Sequence, residues 1–325
     1  MKLHQNNQLY IDLIRFTADK MGIKPIYVEK DYWVMYVLYR IFNNEIGQDT
    51  VFKGGTALSK CNKIINRFSE DIDLVVIRRE GESDNKLKTK LKALSQTIED
   101  VLPEVQIENV TRKMGMNRKT AHSYSKSFEG NYGQVRDVII LEATWLGYYE
   151  PYTSKMISSF IGEVLLENGQ TAIAESNGLL PFEVQVLKPI RTLCEKIMSL
   201  VRFSYGENPI DDLKKKIRHA YDIHQLLKQK EFFDFFNSPD FEDMLLKVAQ
   251  DDVVSFKNNN TWLNYHPVEA LIFKDLANVW GELVNVYNGE FRNLVYGDFP
   301  NSIAVFDTLN TIQERLKTII WTIRT

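Results

Sequence analysis

Residues 51–77 read VFKGGTALSKCNKIINRFSEDIDLVVI. A short β-branched and aromatic run ends at Phe52, Gly54 and Gly55 follow without Cβ atoms, and Thr56 opens TALSKCNKIINRF, which has helical spacing. The texture of a strand returns with IDLVVI. Strand, glycine corner, helix and acidic strand in immediate succession imply a mixed sheet flanked by helices.

The corner suits phosphate. Backbone N–H groups at a helix start lack intrahelical partners, and two glycines leave the approach to them open, so a triphosphate fits there. Thr56 is placed to cap the helix or touch a phosphate oxygen, and Lys60 lies one turn along on the same face. Lys53 flanks the corner from the strand side.

Fourteen residues separate Thr56 from Asp71, and Asp73 stands two further on. Side chains alternate along a strand, so both aspartates point one way, with Cα atoms ~6–7 Å apart, while Ile72 and Leu74 point into the opposite layer. Two such carboxylates can share a hard cation. Mg²⁺ fits, with Mn²⁺ as a substitute, because it takes oxygen ligands at ~2.1 Å and fills its shell with water and substrate phosphate. Without a cation the two anions repel and bind protons more readily. Glu142 is the candidate third carboxylate, with an ordinary edge-strand acid as the other reading: it interrupts the apolar VIILEATWL, residues 138–146, where a lone acid is costly. Gly-Gly turns and Asp-x-Asp pairs are each commonplace; at this spacing together they point to two-metal phosphoryl chemistry.

Outward from this stretch the chain changes character twice. Upstream, YIDLIRFTADKMG and YVEKDYWVMYVLYRIF read as two helices broken at Pro25, the second apolar on most faces and so largely buried. Downstream, NKLKTKLKALSQTIEDVL reads as a helix, and VQIENV, VIILEATWL and FEVQVL read as strands. After Pro189 only helical spacing remains, in IRTLCEKIMSLVRF, DDLKKKIRHAYDIHQLL, FEDMLLKVAQDDV, PVEALIFKDLANVWGELVNVY and IAVFDTLNTIQERLKTIIWTI. The expected class is α/β (α+β), with a mixed-sheet core and N-terminal helical segment over 1–188 and a helical domain over 189–325.

Composition narrows the field of partners. The 325 residues are 44% hydrophobic, enough for one large core or two ordinary ones, and the net charge of −3 provides no global attraction for nucleic acid. Local basic patches occur at Arg112, Lys113, Arg118, Lys119 and Lys126, and at Lys214, Lys215, Lys216 and Arg218; runs of this kind are usually solvated loops or faces. Cys61 and Cys194 form no CxxC pair, so neither a disulfide framework nor a structural zinc is indicated. No apolar run is long enough to span a membrane and no secretory signal opens the chain, so a cytoplasmic protein is expected.

The pairing of a glycine corner with Asp-x-Asp and a later acid on a strand resembles the nucleotidyltransferase superfamily. More narrowly, KGGTALSK followed by RFSEDIDL resembles the AbiEii/AbiGii toxin family, which includes MenT-like toxins of abortive-infection and toxin–antitoxin pairs. Glu29-Lys30-Asp31-Tyr32-Trp33 is similar to that family's EKDYW helix. Glu195-Lys196 and Arg218 with Asp222 are similar to its EK and R-x-x-x-D elements, although His219 stands where many relatives carry an acid.

The resemblance implies a nucleotidyltransferase-like core in which Asp71 and Asp73 hold metal and Gly55 and Thr56 meet phosphate. It further implies that Lys196 contacts nucleotide phosphate and that Asp222 belongs to the catalytic surface. From the residues alone, Lys196 reads as a solvated helix lysine and Arg218 with Asp222 as a plain i, i+4 ion pair. The implied activity is transfer of a nucleoside monophosphate from a triphosphate, GTP or CTP foremost, to an acceptor, with tRNA favoured. A cognate antitoxin and a role in phage defence follow from the same resemblance. The competing reading is a nucleotide-binding protein without catalysis, acting through a protein partner. A P-loop ATPase or kinase fits poorly, since GGTALSK lacks GxxxxGK[ST] spacing and no HRD or DFG element occurs.

Overall fold

Asn6 accepts a hydrogen bond from the Leu9 amide and starts helix α1 (Asn7–Met21), which Gly22 stops at a φ of 65°. Pro25 is the first residue of α2 (Pro25–Phe42) and not the break itself, because a missing N–H costs nothing at that position. From Ile26 through Leu38 every residue of α2 is buried, Glu29, Lys30 and Asp31 included.

The computed structural model describes all residues except 109, 133, 134, 147, 148 and 150 and the side chain at 114. The chain divides into two compact units. The first holds Met1–Lys63, Phe68–Trp145 and Tyr152–Leu187, and the second holds Ile64–Arg67, Leu146–Pro151 and Lys188–Thr325.

The first unit is built on one mixed sheet. Its strands are β1 (Thr50–Lys53), β2 (Ile72–Val76), β3 (Glu104–Val105), β4 (Arg112–Met114), β5 (Asn117–His122), β6 (Ile139–Thr144), β7 (Tyr152–Ile157) and β8 (Phe182–Leu187). They run in the order β3-β5-β6-β2-β1-β8-β7, with β4 paired to β5. Helix α3 (Gly54–Lys60) joins β1 to β2, and α4 (Asp84–Gln96) joins β2 to β3. Helices α5 (Phe160–Glu167) and α6 (Thr171–Ser176) precede β8.

Ile72 and Leu74 of β2, Phe52 of β1 and Ile139 and Leu141 of β6 share one core with Val28, Tyr32 and Met35 of α2 and Leu87, Leu91 and Leu94 of α4. Alternation then directs Lys53, Asp73 and Glu142 to the opposite face. The central strands are thus welded to the helical layer on one side, leaving the other side for chemistry.

Several elements depart from expectation. Helix α3 ends at Lys60 and not at Phe68; Lys63 adopts a φ of 53°, which an α-helix cannot continue through. VQIENV yields only the short β3, since the Ile107 carbonyl is taken by the Val110 and Thr111 amides in a turn; residue 109 lies outside the described residues. The basic stretch around Arg118 is a hairpin, not a loop: β4 and β5 close over Gly115-Met116, with Gly115 at a φ of 57°. Strand β7, polar and mostly exposed at the sheet edge, gave no alternating signal.

In the second unit α7 (Pro189–Phe203), α8 (Pro209–Lys215), α9 (Ile217–Leu227), α10 (Lys230–Asn237) and α11 (Pro239–Ser255) precede α12 (Leu271–Lys274), α13 (Leu276–Asn288) and α14 (Ser302–Leu316). The expected 211–227 helix is divided at Lys216, and the expected 267–287 helix at Asp275, both of which leave helical dihedrals. The last helix stops at Leu316, short of the expected 323. Among the described residues no helix is long and apolar enough to cross a membrane.

Candidate active site

Strand register assembles the site. Lys53 pairs with Asp73 across β1 and β2, Asp73 with Glu142 across β2 and β6, and Glu142 with Lys119 across β6 and β5. Residues in register share a face, so a row of charges, plus, minus, minus, plus, crosses four strands. Lys119 Nζ lies 2.6 Å from a Glu142 carboxylate oxygen, and Asn117 Nδ2 donates to the other oxygen at 3.4 Å. Burial raises the Glu142 carboxyl, yet the Lys119 ammonium overrides it and holds that group below its usual range. Asp73 is balanced differently: Lys53 and Lys119 lower its carboxyl less than its surroundings raise it. Burial first, then the charges of Glu142 and Asp71, push its carboxyl up to about 7.

The glycine corner closes directly on Asp73. Gly54 sits at a φ of 79°, and a Cβ there would lie 2.2 Å from Asp73 Oδ2. Only glycine fits, on both counts. Thr56 is buried at the third position of α3; its hydroxyl donates to the Asp71 carbonyl at 2.7 Å and lies 3.1 Å from the Ser69 hydroxyl. It neither caps the helix nor faces outward, because the hydroxyl is used to tie the start of α3 to the start of β2. Lys60, expected toward phosphate, turns inward: it is 3% exposed, pairs with Asp31 and stands 3.4 Å over the Phe160 ring. An ammonium held between a carboxylate and a ring face is unavailable to a ligand.

Asp71 Oδ1 is buried and, among the described residues, accepts no hydrogen bond. A carboxylate oxygen in that state costs ~1–3 kcal/mol, and a divalent cation is the partner that an all-oxygen site would accept. The donors are of the right chemistry for Mg²⁺ or Mn²⁺. Among the described residues no three His, Cys, Asp or Glu side chains form a ready cage, which leaves Asp71 and Asp73 as an open, partial site. Glu142 stands in the row with its carboxylate engaged by Lys119.

Helix α2 braces this arrangement with three consecutive buried charges. Glu29 accepts from the Ser127 and Phe128 amides at 2.6 and 3.2 Å, Lys30 pairs with Glu70, and Asp31 accepts from the Phe160 amide at 2.7 Å besides pairing with Lys60. Together they tie α2 to the segments at Glu70 and 127–128 and to the end of α3 and the start of α5. In the second unit Asp222 is fully buried and accepts from Arg67 Nε and Nη2, both at 2.7 Å, and it lies 2.7 Å from Lys196 Nζ. Those partners replace the expected i, i+4 pair with Arg218, and Lys196 is buried, not solvated. Burial would raise the Asp222 carboxyl, but Arg67 and Lys196 hold it below its usual range. Lys196 Nζ is also 3.5 Å from His219 Nδ1.

With the geometry in place, comparison with known proteins is informative. Residues 36–282 match the nucleotidyl transferase AbiEii toxin family of type IV toxin–antitoxin systems. The chain belongs to this family. No curated protein matches it. Among solved structures it is similar to MenT4, a nucleotidyltransferase toxin from Mycobacterium tuberculosis H37Rv, at 15% identity and a TM-score of 0.59, over 95% of this chain and 90% of that one. At that identity the likeness shows a common fold.

Sequence reasoning alone missed several residues of this AbiEii-family protein. Arg67, the main partner of Asp222, and Glu70, the partner of Lys30, both lie inside the RFSEDIDL motif, yet their partners are 155 and 40 residues away. Lys119 was visible only as one of a run of basic residues, although its place two residues after Asn117 in a hairpin strand directs it to Glu142. Arg136, whose Nη1 is 3.9 Å from Asp71 Oδ1, carried no signal in the sequence.

Proposed function

We propose that this AbiEii-family chain is a Mg²⁺-dependent nucleotidyltransferase toxin that transfers a nucleoside monophosphate from a triphosphate to an acceptor, with tRNA as that acceptor. The observation that carries the reading is Asp71 Oδ1, a buried carboxylate oxygen without a hydrogen-bond donor among the described residues, two residues from an Asp73 that abuts a Gly-Gly corner. In this reading Asp71 and Asp73 hold the metal, Glu142 completes the acidic row, and Gly54 and Gly55 present helix-start amides to the triphosphate. When bound, Mg²⁺ lowers the pKa of the acceptor hydroxyl and screens the leaving pyrophosphate. The acceptor oxygen attacks the α-phosphorus, its proton leaves to solvent or base, and the bond to the β,γ-pyrophosphate breaks. Lys53 and Lys119 bracket the two central acids and limit their mutual repulsion before a cation arrives.

Lys196 and Asp222 extend the machinery by resemblance. Arg67 and Lys196 share the Asp222 carboxylate in one buried cluster. GTP or CTP is the proposed substrate. A cognate antitoxin and service in phage defence rest on family membership in type IV toxin–antitoxin systems.

The test is direct. Purified protein is incubated with each of the four α-labelled triphosphates, Mg²⁺ and total tRNA, beside Asp73→Ala. Label should enter tRNA with at least one nucleotide and fall on the order of a hundredfold or more in the variant. Absence of transfer with all four, or equal transfer by the variant, overturns the reading.

A further inference from the structure

The guanidinium of Arg136 stands near the orphaned oxygen of Asp71 without truly engaging it. The separation is 3.9 Å, and the Arg136 side chain is 45% exposed. A pair so open contributes little. Something other than Asp71 therefore keeps Arg136 in place.

Its main chain is anchored on both sides. The Arg136 amide donates to Glu70 Oε1 at 3.1 Å, and its carbonyl accepts from Lys30 Nζ. Lys30 and Glu70 are themselves paired and almost wholly buried. Desolvating an ion pair is costly, and what this pair fixes is the distance between residue 136 and Asp71, the residue after Glu70 and just before β2. The outcome is a cation with a fixed root and a partly exposed head beside the candidate metal carboxylates. A guanidinium fork matches phosphate oxygens bidentately, and an exposed, weakly paired one can change partner at small cost.

We propose that Arg136 binds the triphosphate of the incoming nucleotide, leaving Asp71 as it does so, and that the Lys30–Glu70 pair is the positioning device that holds it there. This rests on the nucleotidyltransferase reading above. It has two consequences of opposite sign. In the nucleotide-free protein Arg136 competes with a cation for Asp71, whereas with nucleotide bound it adds affinity. A merely structural arginine would move both affinities together or neither.

The experiment uses the full chain, with Arg136→Ala, Arg136→Lys and Glu70→Gln variants. Mn²⁺ binding to nucleotide-free protein is read by electron paramagnetic resonance. Binding of α,β-methylene triphosphates and of the matching monophosphates is read by calorimetry with Mg²⁺. In Arg136→Ala, triphosphate affinity should fall about tenfold with monophosphate affinity almost unchanged, and Mn²⁺ should bind about twofold tighter. Arg136→Lys should recover part of the triphosphate affinity as a point charge. Glu70→Gln should narrow the preference for triphosphate over monophosphate, and a melting curve confirms that it is folded.

Equal weakening of both nucleotides in Arg136→Ala, or unchanged triphosphate affinity, overturns the assignment. An unchanged preference in folded Glu70→Gln removes the positioning role. Wild type that binds no triphosphate at all sinks the nucleotidyltransferase reading, and this inference with it. Wild type that binds triphosphate and labels an acceptor, with Arg136→Ala binding equally well, sinks this inference alone.

Discussion

Gly54 shows how much one missing atom decides. Its φ of 79° disfavours any L side chain, and a Cβ would fall 2.2 Å from Asp73 Oδ2. Gly54→Ala is therefore expected to cost ~1–2 kcal/mol of stability and to displace the carboxylate, cutting label transfer on the order of tenfold or more. Urea melts and the transfer assay check both; a variant that is fully active would show that the close approach is unimportant. His219 supplies a pH prediction. Burial, then Lys196, Lys216, Arg218 and Arg67, hold its imidazole well below the usual value, while Asp222 is the acid in that cluster. The folded state then binds fewer protons than the unfolded chain below the ordinary histidine pKa, so this residue's share of stability is complete above ~6.5 and is lost as pH falls beneath it. Between pH 7.5 and 5.5 wild type should lose up to about 1.4 kcal/mol more than His219→Asn. Equal losses would refute this.

Helix α2 is the element on which the first unit depends. Its polar triplet would be costly in a core without partners, and each member has found one on a different segment of the first unit. Lys30→Met should destabilise the protein by ~3–5 kcal/mol, because Glu70 is left buried and charged. Adding Glu70→Gln should restore at least half of that loss. A double variant no more stable than the single one would mean that the pair is not coupled. The EKDYW segment was legible in the sequence as a buried helix. That its charges clamp Glu70, Lys60 and the 127–128 amides was not, since the partners are between 29 and 99 residues distant.

At the scale of the whole molecule, nucleotide and cation should stabilise together. If Asp71 and Asp73 need a cation to receive triphosphate, a non-hydrolysable triphosphate at a hundredfold over its Kd with Mg²⁺ should add ~2.7 kcal/mol, and EDTA should remove most of that gain. Thermal melts decide it. Stabilisation of the same size with EDTA present would show that the acidic row binds nucleotide without metal.

The glycine corner, the Asp-x-Asp strand and the family they indicate were all readable from residues 51–77, because local geometry and alternation need only neighbours in the chain. Glu142 was picked out by being an acid among apolar residues, and its register opposite Asp73 came from the sheet. The inward turn of Lys60, the bond from Thr56 to Asp71, the capture of Asp222 by Arg67 and the stance of Arg136 belong to tertiary structure alone. Charge partners far apart in sequence are chosen by burial and packing, and a linear pattern holds no record of that choice.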